Sequence, residues 1–111
     1  MPGSVTTGAY VGKTTFSAVL LEGAAGITEG EWIQINGVHP ASIEIIGLQG
    51  GAIMQLWCSN TPQRPTHSGV QIQTDFTEDK MVFLDVPVRW IRAIVTQAGP
   101  NPTSVYLFGL M

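Results

Sequence analysis

Few residues in this chain combine the types and the spacing that enzymatic chemistry needs. His39 and His67 are the two histidines, and neither has a metal-ligand residue two or four positions away. Cys58 is the lone cysteine, and it continues an apolar alternation that begins at Ala52, so we expect an inert core thiol. No serine lies in a Gly-x-Ser-x-Gly elbow. These patterns predict neither a metal site nor a nucleophile.

Two pairs of neighbouring carboxylates are the candidates for glycoside cleavage, which uses paired acids. They are Glu29 with Glu31 and Glu78 with Asp79. Each pair lies in or beside a turn, where acidic side chains usually form the turn or are solvated. We therefore expect no glycosidase activity from them.

The glycine-rich segment at residues 8–14 imitates a phosphate-binding loop. Such a loop needs four residues between its glycines and a helix directly after it. Here three residues separate Gly8 from Gly12, and a strand-forming run follows. We expect no nucleotide, no cofactor and no enzymatic activity.

Aromatic and arginine side chains give a stronger functional lead. If the alternating apolar residues face the core, Trp32, Trp57 and Trp90 point outward, and Arg92 shares the face of Trp90. Trp and Arg carry much of the binding energy at protein contacts, roughly 2–4 kcal/mol each on truncation. We predict a partner interface that contains Trp32, Trp57, Arg89, Trp90 and Arg92. Two alternatives stay open: these strands are covered on both faces, or the tryptophans form a platform for saccharide rings.

Strand-length runs with an apolar period of two must position these side chains. The runs are Thr14–Glu22, Glu31–Asn36, Ser42–Leu48, Ala52–Cys58, Val70–Asp75, Met81–Val86, Trp90–Thr96 and Ser104–Leu110. Gly, Pro and Asn punctuate the breaks, and no long stretch has a helical stripe. The pattern predicts an all-β fold, a jelly-roll-like β-sandwich of about eight antiparallel strands. Periodicity alone leaves an immunoglobulin-like sandwich or an OB-type barrel open.

The connections predict how the chain is organised. Gly50-Gly51 suits a tight hairpin turn between the third and fourth runs. The segment at residues 60–69 is the longest clear connection, either an ordered excursion or a crossover between sheets. Residues 1–13 lack a core pattern, so we expect an N-terminal arm or lead-in strand that reaches a neighbouring subunit. Residues 14–111 are then a single domain.

The composition indicates a surface that contacts other protein. Charged residues make up 12% of the 111 residues, about half of the roughly 25% that is typical. A small domain cannot bury all its uncharged residues, so much of its surface is neutral. Among the five basic residues only Arg89 and Arg92 lie close together, which predicts no nucleic-acid partner. The first residues lack the pattern of a signal peptide, and no apolar stretch approaches the roughly 20 residues of a membrane span, so we expect synthesis in the cytoplasm and no membrane partner.

The C-terminal half carries a family resemblance. It reads PVRWIRAIVTQAG from Pro87 and then SVYLFG from Ser104. A Pro-x-Arg-x-Ile-Arg strand followed by a closing hydrophobic strand is similar to virion structural proteins of tailed bacteriophages. In length and eight-run layout the chain resembles the capsid staple or decoration proteins of short-tailed phages of the epsilon-fifteen type. The resemblance supplies no catalytic residue, and it marks Arg89, Trp90 and Arg92 only as members of a family-typical strand.

The resemblance also implies a function. A jelly-roll-like β-sandwich of this family binds the outer surface of the assembled capsid in the virion, usually as a homodimer, and clamps neighbouring subunits of the major capsid protein. We therefore expect a non-enzymatic decoration protein. The alternative is a carbohydrate-binding jelly-roll module of a phage tail or baseplate, with a glycan as its ligand.

Overall fold

A computed structural model describes residues 3–10 and 13–110 of the chain. The other residues, 1, 2, 11, 12 and 111, belong to the predicted arm and to the end of the predicted domain, and they lie outside the described part. The strands are β1 (Ser4–Tyr10), β2 (Lys13–Ala24), β3 (Thr28–Glu29), β4 (Ile33–Gln34), β5 (Ala41–Ile46), β6 (Ile53–Ser59), β7 (Val70–Phe76), β8 (Lys80–Leu84), β9 (Trp90–Gln97) and β10 (Thr103–Leu110). Each of the eight predicted runs overlaps one of these strands. Two further strands, β1 and β3, were not among the predicted runs.

The strands form two antiparallel sheets. The first sheet has the order β1-β2-β10-β5-β8. In the second sheet β3 and β4 lie one after the other along β9, and β6 and β7 follow. The first predicted run pairs with the eighth, the second with the seventh, the third with the sixth and the fourth with the fifth. This nested pairing is that of a jelly roll, so the predicted all-β sandwich is confirmed.

The core fills the space between the two sheets, and the period of two supplies it. In β5 the side chains of Ile43 and Ile45 are completely buried, whereas Glu44 between them is exposed. Leu20 and Leu21 are both buried, because a register shift where β10 crosses this part of β2 breaks the alternation. Within the described ranges no helix is long and apolar enough to cross a membrane.

The Gly50-Gly51 hairpin prediction is wrong. Both glycines have positive φ, 75° and 93°, as a tight turn requires. However, β5 belongs to the first sheet and β6 to the second, so the turn carries the chain across the sandwich. The two glycines permit the left-handed backbone of the turn, but they do not determine whether the strands on either side of it pair with each other.

Residues 60–69 form an ordered excursion, because β6 and β7 on either side of them pair within the second sheet. We call this segment the covering loop.

The described part of the predicted arm is a lead-in strand: β1 pairs with β2 from Ser4 opposite Val19 to Tyr10 opposite Lys13, with no register shift. The backbone N–H of Gly3 donates to the Glu31 carboxylate at 3.3 Å and so ties the start of β1 to the second sheet.

Candidate interaction surfaces

The outer face of the first sheet, which we call the front face, has no covering layer in the described chain. Strand register aligns its side chains in two rows that cross all five strands. The first row is Thr6, Ser17, Phe108, Ser42 and Phe83, and the second is Ser4, Val19, Tyr106, Glu44 and Met81.

Large apolar side chains stand exposed in both rows of the front face. Phe83 is 66% exposed, Phe108 is 48% exposed and Met81 is 45% exposed. A groove of about 260 Å³ lies between Phe83 and Phe108, and its floor is at Ser42. A second groove of about 270 Å³ follows the other row past Tyr106 and Glu44. In the first row the Ser42 hydroxyl lies between the two phenylalanines, and in the second row Glu44, the one charged residue of the two rows, lies between Tyr106 and Met81.

The outer face of the second sheet, which we call the back face, carries four of the five predicted interface residues. Trp57 lies directly opposite Arg92 across the β6–β9 pair, and Trp90 lies opposite Ser59. Trp32 joins them, because the Arg92 guanidinium lies 4.7 Å from the centre of its ring. Trp90 and Arg92 share a face as strand parity predicted, and the pairing of β6 with β9 places Trp57 on the same face.

The prediction that all three tryptophans point into solvent is wrong for Trp32 and Trp90. Their exposed fractions are 7% and 8%, although neither belongs to the main core. The indole Nε1 of Trp90 donates to the backbone oxygen of Thr61 in the covering loop at 3.0 Å. At the other end of that loop Gly69 lies so close to Trp32 that a Cβ there would be 2.9 Å from the ring. The covering loop and Arg92 therefore shield both rings.

Arg92 is also largely buried, with 13% of its side chain exposed. Its Nη1 donates to Glu29 Oε1 at 2.8 Å, and its plane stacks on Trp32. Its buried Nε has no hydrogen-bond partner within the described residues. These contacts make Arg92 a packing residue of the back face, so its predicted place in an open interface is not supported.

Trp57 is the one tryptophan of the three that stays partly exposed. Its Nε1 donates to Gln55 Oε1 at 2.9 Å. Gln55 Nε2 and Gln71 Nε2 each donate to Asp75 Oδ1, both at 2.9 Å. These hydrogen bonds, first that from Gln71 and then that from Gln55, hold the pKa of the Asp75 carboxyl below its ordinary value.

Arg89 lies apart from the other predicted interface residues. Its side chain is exposed at the rim of an open polar cleft of about 820 Å³, together with Gln34, Asn36 and Asn60. Its backbone N–H donates to Asn60 Oδ1 at 3.0 Å, and its carbonyl accepts hydrogen bonds from the chain near β4. Arg89 thus joins the covering loop to the end of the second sheet.

The candidate catalytic groups have local structural partners. His67 Nδ1 accepts a hydrogen bond from the Gly69 N–H at 3.0 Å, which closes the end of the covering loop. His39 Nε2 lies 2.8 Å from the Asp85 carbonyl oxygen. Burial raises the pKa of the Cys58 thiol. Across residues 3–10 and 13–110 no group of three or more His, Cys, Asp or Glu side chains is arranged to hold a metal ion.

Two features of the structure were not predicted from the sequence: the front face, and the hydrogen-bonded group of Gln55, Trp57, Gln71 and Asp75. The signal for the front face was present, because Met81 and Phe83 alternate with Val82 and Leu84 and so make both faces of β8 apolar. The hydrogen-bonded group around Asp75 had no comparable signal in the sequence, because it forms at an irregularity in β7.

Comparison with protein-family models, with curated proteins and with solved structures finds no match to this chain.

Proposed function

We propose that this chain is a non-enzymatic decoration protein of a bacteriophage capsid. It binds the outer surface of the assembled shell in the virion and clamps neighbouring subunits of the major capsid protein. The front face makes this contact. The proposal combines the sequence resemblance with the chemistry of that face.

The observation that carries the proposal is the exposed apolar character of the front face. Phe83 and Phe108 flank a groove on a surface that the described chain leaves uncovered. Contiguous apolar surface on a folded domain usually marks a site of interaction. Aromatic side chains are also enriched at the centres of protein interfaces, where they contribute most of the binding energy.

The polar groups of the front face favour a protein partner as well. Ser and Thr hydroxyls lose less hydration free energy than charged groups when another surface covers them. Glu44 is the one carboxylate in the two rows, so the capsid surface is expected to present a Lys or Arg side chain to it. Such a pair fixes the orientation of the domain on the shell.

A clamp on a lattice needs only moderate affinity at each contact. When one bound unit spans two capsid subunits, the second contact forms at a high effective concentration. If the chain is a homodimer, as the resemblance implies, each bound dimer contacts the shell through two front faces.

The alternative function, a carbohydrate-binding module of a tail or baseplate, has lost part of its support. It was motivated by outward tryptophans, and both Trp32 and Trp90 are buried. Of the three tryptophans only Trp57 stays partly exposed.

The test uses shells assembled from the major capsid protein of the phage that encodes the chain. Purified protein is added at increasing concentration, and sedimentation measures the bound fraction. The temperature at which the shells rupture is recorded with and without it. We expect saturable binding and a higher rupture temperature. Shells that neither bind the protein nor gain stability would show that the proposal is wrong.

A further inference from the structure

Strand β7 contains an irregularity that changes which residue of β6 lies beside one carboxylate. Leu56 of β6 pairs with Ile72, but the next pair is Met54 with Phe76, so the single residue Gln55 faces three residues of β7. Within these three, Gln73 has a φ of 60°. This left-handed conformation is uncommon for a residue other than glycine. Bulges of this kind often redirect a side chain beside a functional site.

The bulge brings Asp75 beside two amide side chains. Its Oδ1 accepts hydrogen bonds from Gln55 and from Gln71, each at 2.9 Å. The amide oxygen of Gln55 in turn accepts the Nε1 proton of Trp57, also at 2.9 Å. Indole is only a donor and an ionised carboxylate only an acceptor, so these two partners fix which way the Gln55 amide points.

The result is a partly exposed indole ring beside three planar polar groups on the outer face of the second sheet, and the Asp75 carboxylate is the most exposed of them. Because hydrogen bonds already order these side chains, a ligand that contacts them loses little additional entropy. One Asp75 oxygen and the Gln71 amide oxygen make no side-chain hydrogen bond within the described chain. They remain available to accept hydroxyl protons. We call these four residues, Gln55, Trp57, Gln71 and Asp75, the back-face cluster.

We propose that the back-face cluster binds a neutral saccharide. A pyranose ring offers an apolar face of C–H groups, which packs against an aromatic ring, and a rim of hydroxyls, which hydrogen-bond to carboxylate and amide groups. Charge selects the ligand class: Asp75 is ionised and repels an acidic sugar, and the nearby Arg92 is already paired with Glu29 at 2.8 Å. The site is shallow, so we expect weak binding, with a dissociation constant of about 1 mM.

This inference goes beyond the capsid role and does not depend on it. The front and back faces lie on opposite sides of the sandwich. A domain that contacts a shell with the front face would leave the back-face cluster in solvent. Saccharide binding is measured on the isolated protein, so its failure and the failure of shell binding are separate results.

The experiment begins with an array of neutral and acidic oligosaccharides, followed by NMR titration of the best neutral hit. Glucose and glucuronic acid serve as a matched pair of simple probes. We expect the Trp57 indole N–H resonance to shift with the neutral sugar and to respond at least about tenfold more weakly to the acidic one. Asp75→Asn should remove the discrimination against the acidic sugar and weaken neutral binding.

Three variants separate binding from folding. Trp57→Ala should abolish binding, whereas Trp57→Phe, which keeps a ring, should retain part of it. Thr74→Ala is the control, because Thr74 is exposed in the same bulge and its side chain makes no hydrogen bond to the cluster. If Trp57→Ala does not fold, Asp75→Asn decides, since Asp75 is at the surface. The proposal is overturned if no neutral glycan binds, or if binding is unchanged in both Asp75→Asn and a folded Trp57 variant.

Discussion

Trp90 donates its indole proton to the backbone oxygen of Thr61 at 3.0 Å, across 29 positions of sequence. This hydrogen bond fixes the start of the covering loop onto the second sheet. Further bonds within the loop order it, including Thr61 Oγ1 to the Gln63 carbonyl at 2.7 Å. A surface that would otherwise be a row of exposed aromatic rings is thus an additional small packed layer.

The first prediction concerns the stability contributed by Trp90. Trp90→Ala should reduce the free energy of unfolding by about 3–5 kcal/mol, because it leaves a cavity under the loop. Trp90→Phe keeps most of the packing and loses mainly the hydrogen bond, about 1 kcal/mol. Urea unfolding measures both. A Trp90→Ala variant with native stability but impaired shell binding would place Trp90 in an interface instead.

The second prediction concerns β1. Deleting residues 1–10 removes a strand that pairs with β2 along its whole length and exposes the β2 edge. We expect a loss of roughly 1–3 kcal/mol in the free energy of unfolding, because cross-strand pairs each contribute a fraction of a kcal/mol. Thermal unfolding tests this. An unchanged melting temperature would instead support an independent arm that reaches a neighbouring subunit.

The third prediction concerns the titration of Asp75. Its carboxyl pKa should lie below the ordinary value of 3.8, because Gln71 and Gln55 donate to the charged form. NMR of the side-chain carboxyl carbon measures it, and Gln71→Leu should raise it. A lowered folded-state pKa contributes stability above the unfolded-state value, and this contribution disappears as the pH falls through the folded-state pKa. An unshifted pKa would mean that the cluster is not ordered in solution.

The fourth prediction concerns Cys58. Burial raises its thiol pKa, so little reactive thiolate is present near neutral pH. We expect alkylation of the folded protein to be much slower than alkylation in urea. The ratio of the two rates is the measurement. Equal rates would show that the thiol is open to solvent and would reopen its assignment as an inert residue.

The fifth prediction compares exposed apolar residues on the two sheets. Phe83→Ser and Phe108→Ser should each weaken shell binding by about 2 kcal/mol, or roughly 30-fold, with little change in unfolding. Val70→Ser is the matched control, because Val70 is 69% exposed on the second sheet. Sedimentation with shells measures all three. Equal effects of the control and the Phe variants would contradict the assignment of the contact to the front face.

The alternation of apolar residues was enough to predict the strands, because a period of two marks the core side of a half-buried sheet directly. In β9, for example, Ile91, Ala93 and Val95 follow this period, and all three are buried. The strand β3 was missed because two residues carry no period. The hairpin predicted at Gly50-Gly51 was wrong, because which strands pair with each other depends on contacts far away in sequence.

The candidate site was only partly predictable for a similar reason. Strand parity put Trp90 and Arg92 on one face of their strand, as found. That Trp57 lies beside them follows from the pairing of β6 with β9, which the sequence did not predict. Their exposure depends on the covering loop, and no local pattern showed that this loop folds back over the sheet. The back-face cluster depends on a bulge in β7. The left-handed residue of that bulge is Gln73, and glutamine is not a residue type that indicates such a turn.

The central claim is that the front face binds the capsid, and a density map of the virus particle tests it most directly. We predict density for this domain on the outer surface of the shell, spanning two neighbouring major capsid subunits. Phe83 and Phe108 should face the shell, and Trp57 should face solvent. Particles without this domain, or with its back face against the shell, would contradict the account.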